Sequence, residues 1–76
     1  MEYFFNGSDH IIIITFNGEK RINLVSKPNG RFVSEKIKLW LDTNTNKWKY
    51  EWNYFQKPKF IFSTKEDAMK FKLTWG

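Results

Sequence analysis

Two stretches decide the architecture: Lys36-Ile37-Lys38-Leu39-Trp40-Leu41 and, after a polar loop at residues 42–46, Lys47-Trp48-Lys49-Tyr50-Glu51-Trp52-Asn53-Tyr54-Phe55. Each alternates apolar with polar residues, the period of a strand buried on one side. Pairing Leu41 with Trp48 brings Leu39 opposite Tyr50 and Ile37 opposite Trp52, six apolar or aromatic residues on one face. The other face then pairs Lys38 with Glu51 and Trp40 with Lys49, an ion pair and a cation–π contact. One register satisfies both faces, so we read a hairpin here. The competing reading is a short helix from Ser34, because Ile37, Trp40 and Leu41 also fit helical spacing.

Working outward, turn signals recur at short intervals: Asn6-Gly7, Asn17-Gly18, Pro28-Asn29-Gly30 and Lys57-Pro58. Apolar and aromatic runs lie between them, as expected of several short strands. Asn17-Gly18 suits a two-residue hairpin turn, because both positions tolerate positive φ. It would pair Ile13 with Ile22 and Ile11 with Leu24 on an apolar face, leaving Ile12, Ile14 and Arg21 on a mixed one. Residues 3–5 can add a strand before it, and residues 59–62 another after Pro58. Ser63 and Glu66 then stand at capping-box spacing, with Glu66 and Asp67 in a helical first turn, so a helix is expected to about Leu73. The expected fold is α+β: one domain, a mostly antiparallel sheet of four to six short strands, and one C-terminal helix on one face.

Composition bounds the chemistry. The 76 residues contain no cysteine and one histidine, His10, which leaves no disulfide, no Cys-based metal site and no His pair. Eight Phe, four Trp and three Tyr supply the area for a small core. The longest strictly apolar run, Ile11-Ile12-Ile13-Ile14, is far short of the ~20 residues that span a bilayer. With no secretory leader pattern at the start, a cytoplasmic protein is expected. The net charge of +5 is uneven: residues 47–76 carry seven lysines against three acids. That asymmetry suits a polyanionic partner, and equally suits plain solubility.

Residues 62–76, Phe-Ser-Thr-Lys-Glu-Asp-Ala-Met-Lys-Phe-Lys-Leu-Thr-Trp-Gly, resemble the ends of small uncharacterised proteins of tailed bacteriophages, particularly of marine bacteria. The resemblance implies a bacterial host cell and a small host-modulating binder. It implies no activity and no site residue.

No residue set points to catalysis. Ser8-Asp9-His10 has triad residue types, but neighbours in an extended chain point to opposite faces. Glu66 and Asp67 are explained by capping, and the glycines occur singly, without a phosphate loop. We therefore expect a binding protein, with no enzyme activity, cofactor, metal or membrane partner. The partner would be a host protein or a second copy. The expected surface is the sheet face opposite the helix, with Trp40 as anchor, Ile12, Ile14 and Phe16 as apolar area, and Arg21, Lys38 and Lys49 as rim. The alternative is nucleic-acid binding through Lys47, Lys49, Lys57, Lys59, Lys70 and Lys72, with the stripe Trp48, Tyr50, Trp52 and Tyr54 as a base-stacking platform. Against that alternative, the stripe also reads as the core face of the sheet.

Overall fold

The computed structural model describes residues 1–14, 25–27, 30–53 and 56–76. Four strands form an antiparallel sheet in the order β1 (Glu2–Asn6), β2 (Asp9–Ile13), β6 (Gln56–Phe62), β5 (Trp48–Asn53). A separate two-stranded ribbon pairs β3 (Val25–Lys27) with β4 (Gly30–Phe32). Two helices, α1 (Glu35–Asn44) and α2 (Lys65–Trp75), contribute to the core on one side of the four-stranded sheet. The architecture is α+β with a C-terminal helix, as the sequence implies.

The β1–β2 hairpin closes on the pair Asn6 and Asp9, so Gly7 and Ser8 form a two-residue turn. Gly7 has φ of 67° and is followed by a residue of negative φ, the type II′ arrangement that matches strand twist. Phe4 then stands opposite Ile11, and Tyr3 opposite Ile12. β6 is an interior strand although it contains Pro58. The β2–β6 pairing finishes there: Ile14 N–H donates to Pro58 O at 2.8 Å, and proline has no N–H to return the bond. On the other side of β6, the register shifts between Glu51 and Asn53, so Lys57 and Pro58 face one residue, Trp52. A strand end and a bulge are the places where a sheet tolerates proline.

Residues 35–44 form a helix, which overturns the hairpin reading of residues 36–41. Ser34 caps α1 by accepting from Ile37 N–H, and Glu35 lies in the first turn. Ile37 and Leu41, one turn apart, are buried in the core. Trp40 packs beside them against Phe71 and Trp75, with ring centroids about 6 Å apart in both contacts. Leu39 is left 69% exposed. The helix wins because it turns Trp40 toward the core together with Ile37 and Leu41, whereas a strand would send Trp40 to the opposite face. Its last turn is closed by Thr45, whose N–H and hydroxyl both donate to Leu41 O at 3.0 and 2.7 Å.

With α1 helical, β5 finds its partner in β6, pairing Tyr50 with Phe60 and Trp48 with Phe62. The Lys38–Glu51 and Trp40–Lys49 pairs expected from the hairpin register are therefore absent. Glu51 sits 3.7 Å from Lys59 instead. The cap of α2 is also one residue later than expected: Thr64, not Ser63, accepts from Asp67 N–H at 3.2 Å. The helix continues past Leu73 to Trp75 and ends at Gly76, whose N–H donates to Lys72 O at 2.9 Å. Asp67 is buried, and its carboxylate accepts from Asn46 N–H at 3.0 Å, tying α2 to the segment that enters β5.

The core is a layer of aromatics between sheet and helices. Phe60, Phe62 and Phe71 are fully buried along with Ile12, Ile37 and Leu41. Phe71 meets Phe60 and Phe62 at centroid distances of 4.6 and 5.5 Å. These separations suit tilted ring packing, which adds to the burial term.

Candidate binding surface

Strand alternation assigns every sheet residue to a face. Tyr3, Ile12, Phe60 and Tyr50 form one register row and belong to or pack against the core. The next row, Phe4–Ile11–Ile61–Lys49, must therefore point away from the helices. Beside it runs Glu2–Ile13–Lys59–Glu51. This second face has an apolar middle and a charged margin. Phe4 is 46% exposed and Ile13 and Ile61 are half-buried. Ile11, between Phe4 and Ile61, is buried yet lies outside the core cluster.

Two open grooves adjoin this face. One, of about 450 Å³, is lined by residues including Asp9, Lys47, Trp48, Lys49, Ile61 and Ser63. The other, of about 300 Å³, is lined by Phe4, Ile13, Lys57 and Lys59. Lysines thus stand at both grooves. Half-buried Lys59 pairs with exposed Glu51 at 3.7 Å, a contact that contributes little to stability.

The structure relocates most of the expected site. Ile12 and Ile14 are core residues, because β2 faces the helices with its even-numbered positions. Trp40 and Lys38 lie on α1, Trp40 half-buried in the core and Lys38 exposed. Phe16 and Arg21 lie outside the described residues, as does the Asn17-Gly18 turn. Of the expected protein-binding set, only Lys49 is described on the face away from the helices. Of the alternative set, Lys47, Lys49, Lys57 and Lys59 line the two grooves. Lys70 and Lys72 sit on α2, where Lys70 donates to Asn44 O at 3.2 Å.

The aromatic stripe is core-facing. Trp48 and Tyr50 pack against the core, Tyr50 with its ring 5.1 Å from Phe60, and Trp48 Nε1 donates to Asp42 at 2.8 Å. Trp52 is half-buried at the register shift of β5, and Tyr54 lies outside the described residues. Phe4, Ile13 and Ile61 are the surface residues that sequence reasoning missed. The signal was present in the Asn6-Gly7 turn, which pairs Phe4 with Ile11 and so sets the parity of the whole sheet.

Asp9 and His10 point to opposite faces and do not converge. His10 Nδ1 lies 2.8 Å from Tyr3 Oη, and its ring stacks on Phe5 at 4.7 Å. Among the described residues there is no group of three His, Cys, Asp or Glu side chains placed to hold a metal. No helix among them is long and apolar enough to cross a membrane. No family model, curated protein or solved structure matches this chain.

Proposed function

We propose that this chain is a small non-catalytic protein-binding module that uses the sheet face turned away from its helices. The observation that carries the reading is the exposed Phe4 beside Ile13 and Ile61, with lysines at the grooves on either side. An accessible aromatic set in apolar surroundings, with charge confined to the margin, is the anatomy of a protein interface. The partner surface that fits is apolar at its centre and of mixed charge around it, acidic where it meets the lysine-lined grooves. The resemblance of residues 62–76 to phage proteins makes a protein of a bacterial cytoplasm the first one to seek.

Nucleic-acid binding is the second reading, favoured by Lys47, Lys49, Lys57 and Lys59 at the two grooves. The acids Glu2, Asp9 and Glu51 on the same face reduce its net charge and weigh against phosphate tracking.

The test is capture from bacterial lysate after nuclease treatment, across a salt series, with wild type, Phe4→Thr, Lys57→Glu and the control Leu73→Ser. Leu73 is 81% exposed on α2, away from the proposed surface. A stoichiometric protein retained by wild type and Leu73→Ser, and lost by Phe4→Thr and Lys57→Glu, supports the module. Capture that ignores the face variants removes the surface. Recovery of nucleic acid alone, lost as salt rises, transfers the function to the second reading.

A further inference from the structure

β1 is an edge strand, and its hydrogen-bond phase can be derived. A two-residue turn closes on a hydrogen-bonded pair, here Asn6 with Asp9. Bonded and non-bonded pairs then alternate along the hairpin. Asn6, Phe4 and Glu2 therefore direct their N–H and C=O groups to β2, and Phe5 and Tyr3 direct theirs outward. The same phase requires even-numbered residues of β2 to bond to β6, and Ile14 N–H does donate to Pro58 O. Among the described residues, no strand pairs with this outer edge of β1.

Edges of this kind template pairing with another chain unless they are guarded by lysine, proline, a bulge or a covering element. The edge strand at the far side of the sheet, β5, is guarded: it carries Lys49 and Glu51 and has the register shift beyond Glu51. β1 reads Glu2-Tyr3-Phe4-Phe5-Asn6, with neither lysine nor proline and with a regular register. Phe4 and Phe5 are 46% and 55% exposed on its two faces.

We propose that β1 pairs antiparallel with β1 of a second copy of this chain, about a two-fold axis through Phe4, to make one continuous eight-stranded sheet. The occupant follows from self-complementarity. Outward-directed residues must oppose outward-directed residues, which allows two-fold registers about Tyr3, Phe4 or Phe5; the one about Phe4, where Tyr3 meets Phe5 of the partner subunit, pairs the most of the strand. That register overlaps all five residues of the strand. It gives four main-chain hydrogen bonds, two from each Tyr3–Phe5 pair. Phe4 meets Phe4 of the partner subunit in a non-bonded pair, where side chains approach most closely. Glu2 meets Asn6 of the partner subunit, so no like charges are opposed. A five-residue contact is small, so the dimer is a concentration-dependent equilibrium. This contact shares Phe4 with the face proposed above, but it is otherwise built from main chain and from Phe5, which lies on the helix side.

The protein has no cysteine, so a single thiol reports the register. In the proposed pair the Phe4 Cα atoms lie about 4.5 Å apart, within disulfide range. Phe4→Cys should oxidise rapidly to a covalent dimer, and Phe5→Cys should cross-link far more slowly, because Phe5 opposes Tyr3. Wild type should sediment with a mass that rises toward twice 9.3 kDa as concentration increases. Phe5→Pro removes an outward N–H that the hairpin does not use, and should weaken dimerisation about 30-fold through two lost hydrogen bonds. A wild type that stays monomeric to millimolar concentration overturns the proposal. So does equal cross-linking of Phe4→Cys and Phe5→Cys. A monomeric Phe5→Pro that still captures the partner protein would separate the two surfaces, and loss of the dimer would leave the binding face standing.

Discussion

Two rows of side chains run next to each other through the same four strands, and they do opposite work. Tyr3, Ile12, Phe60 and Tyr50 face the helices, with Ile12 and Phe60 completely buried. One residue along each strand, Phe4, Ile11, Ile61 and Lys49 face away, beginning with an aromatic ring half in water and ending in a lysine. The backbone hydrogen bonds are shared, so the difference lies only in what covers each row. The covered row holds the fold; in the other, Ile11 is buried while Phe4 and Lys49 are exposed, and we assign the recognition to that row. Substitutions can test that division directly.

The largest effect is expected where the covered row meets α2. Phe60→Ala removes a fully buried ring that packs on both Tyr50 and Phe71. Such truncations cost about 3–5 kcal/mol, a large part of the stability of a domain this small. Urea titration should show Phe60→Ala largely unfolded in water. A loss below about 1 kcal/mol would mean that the aromatic layer is not the core.

Asp67→Ala should come next. Its carboxylate is buried and accepts from Asn46 N–H, so truncation leaves that N–H without its partner. An orphaned polar group costs about 1–3 kcal/mol. Asp67→Asn keeps an acceptor oxygen in place and should recover much of the loss in the same titration. If both variants lose equally, the bond from Asn46 is not what Asp67 contributes.

How much of this division was legible beforehand varied by element. The α+β class, α2 and the turn at Asn6-Gly7 could be read because each has a local chemical cause: a cap, acids in a first turn, a glycine needing positive φ. Residues 35–44 could not, because Ile37, Leu39 and Leu41 fit a strand as well as Ile37, Trp40 and Leu41 fit a helix. Only burial decides between them, and burial is a tertiary property. The assignment of faces failed for a related reason. It was anchored on the Asn17-Gly18 turn and on a strand at residues 36–41, and with period-2 structure a different anchor exchanges the faces entirely. Those anchors put Ile12 and Ile14 on the surface and Ile13 in the core, the reverse of the observed faces. Leu39 gives a direct check. It is 69% exposed on α1, so Leu39→Lys should change stability by no more than about 0.5 kcal/mol. A strand at this position would have placed Leu39 in the core, and the same substitution would then unfold the protein.

The smallest effect on stability, and the most informative for function, is expected at Phe4. Threonine there supplies a β-branched side chain suited to a strand and removes a ring that is already 46% exposed on an edge. Stability should stay within about 0.5 kcal/mol of wild type, against several for Phe60→Ala in the neighbouring row. Partner capture should nevertheless fall at least tenfold, because an aromatic anchor at the centre of an interface carries about 2 kcal/mol or more of its affinity. Retained stability with lost capture would make the two rows separable, one for folding and one for recognition. Lost stability would mean that Phe4 helps to hold the fold by covering Ile11, and the recognition surface would then have to be sought at the lysine-lined grooves beside it.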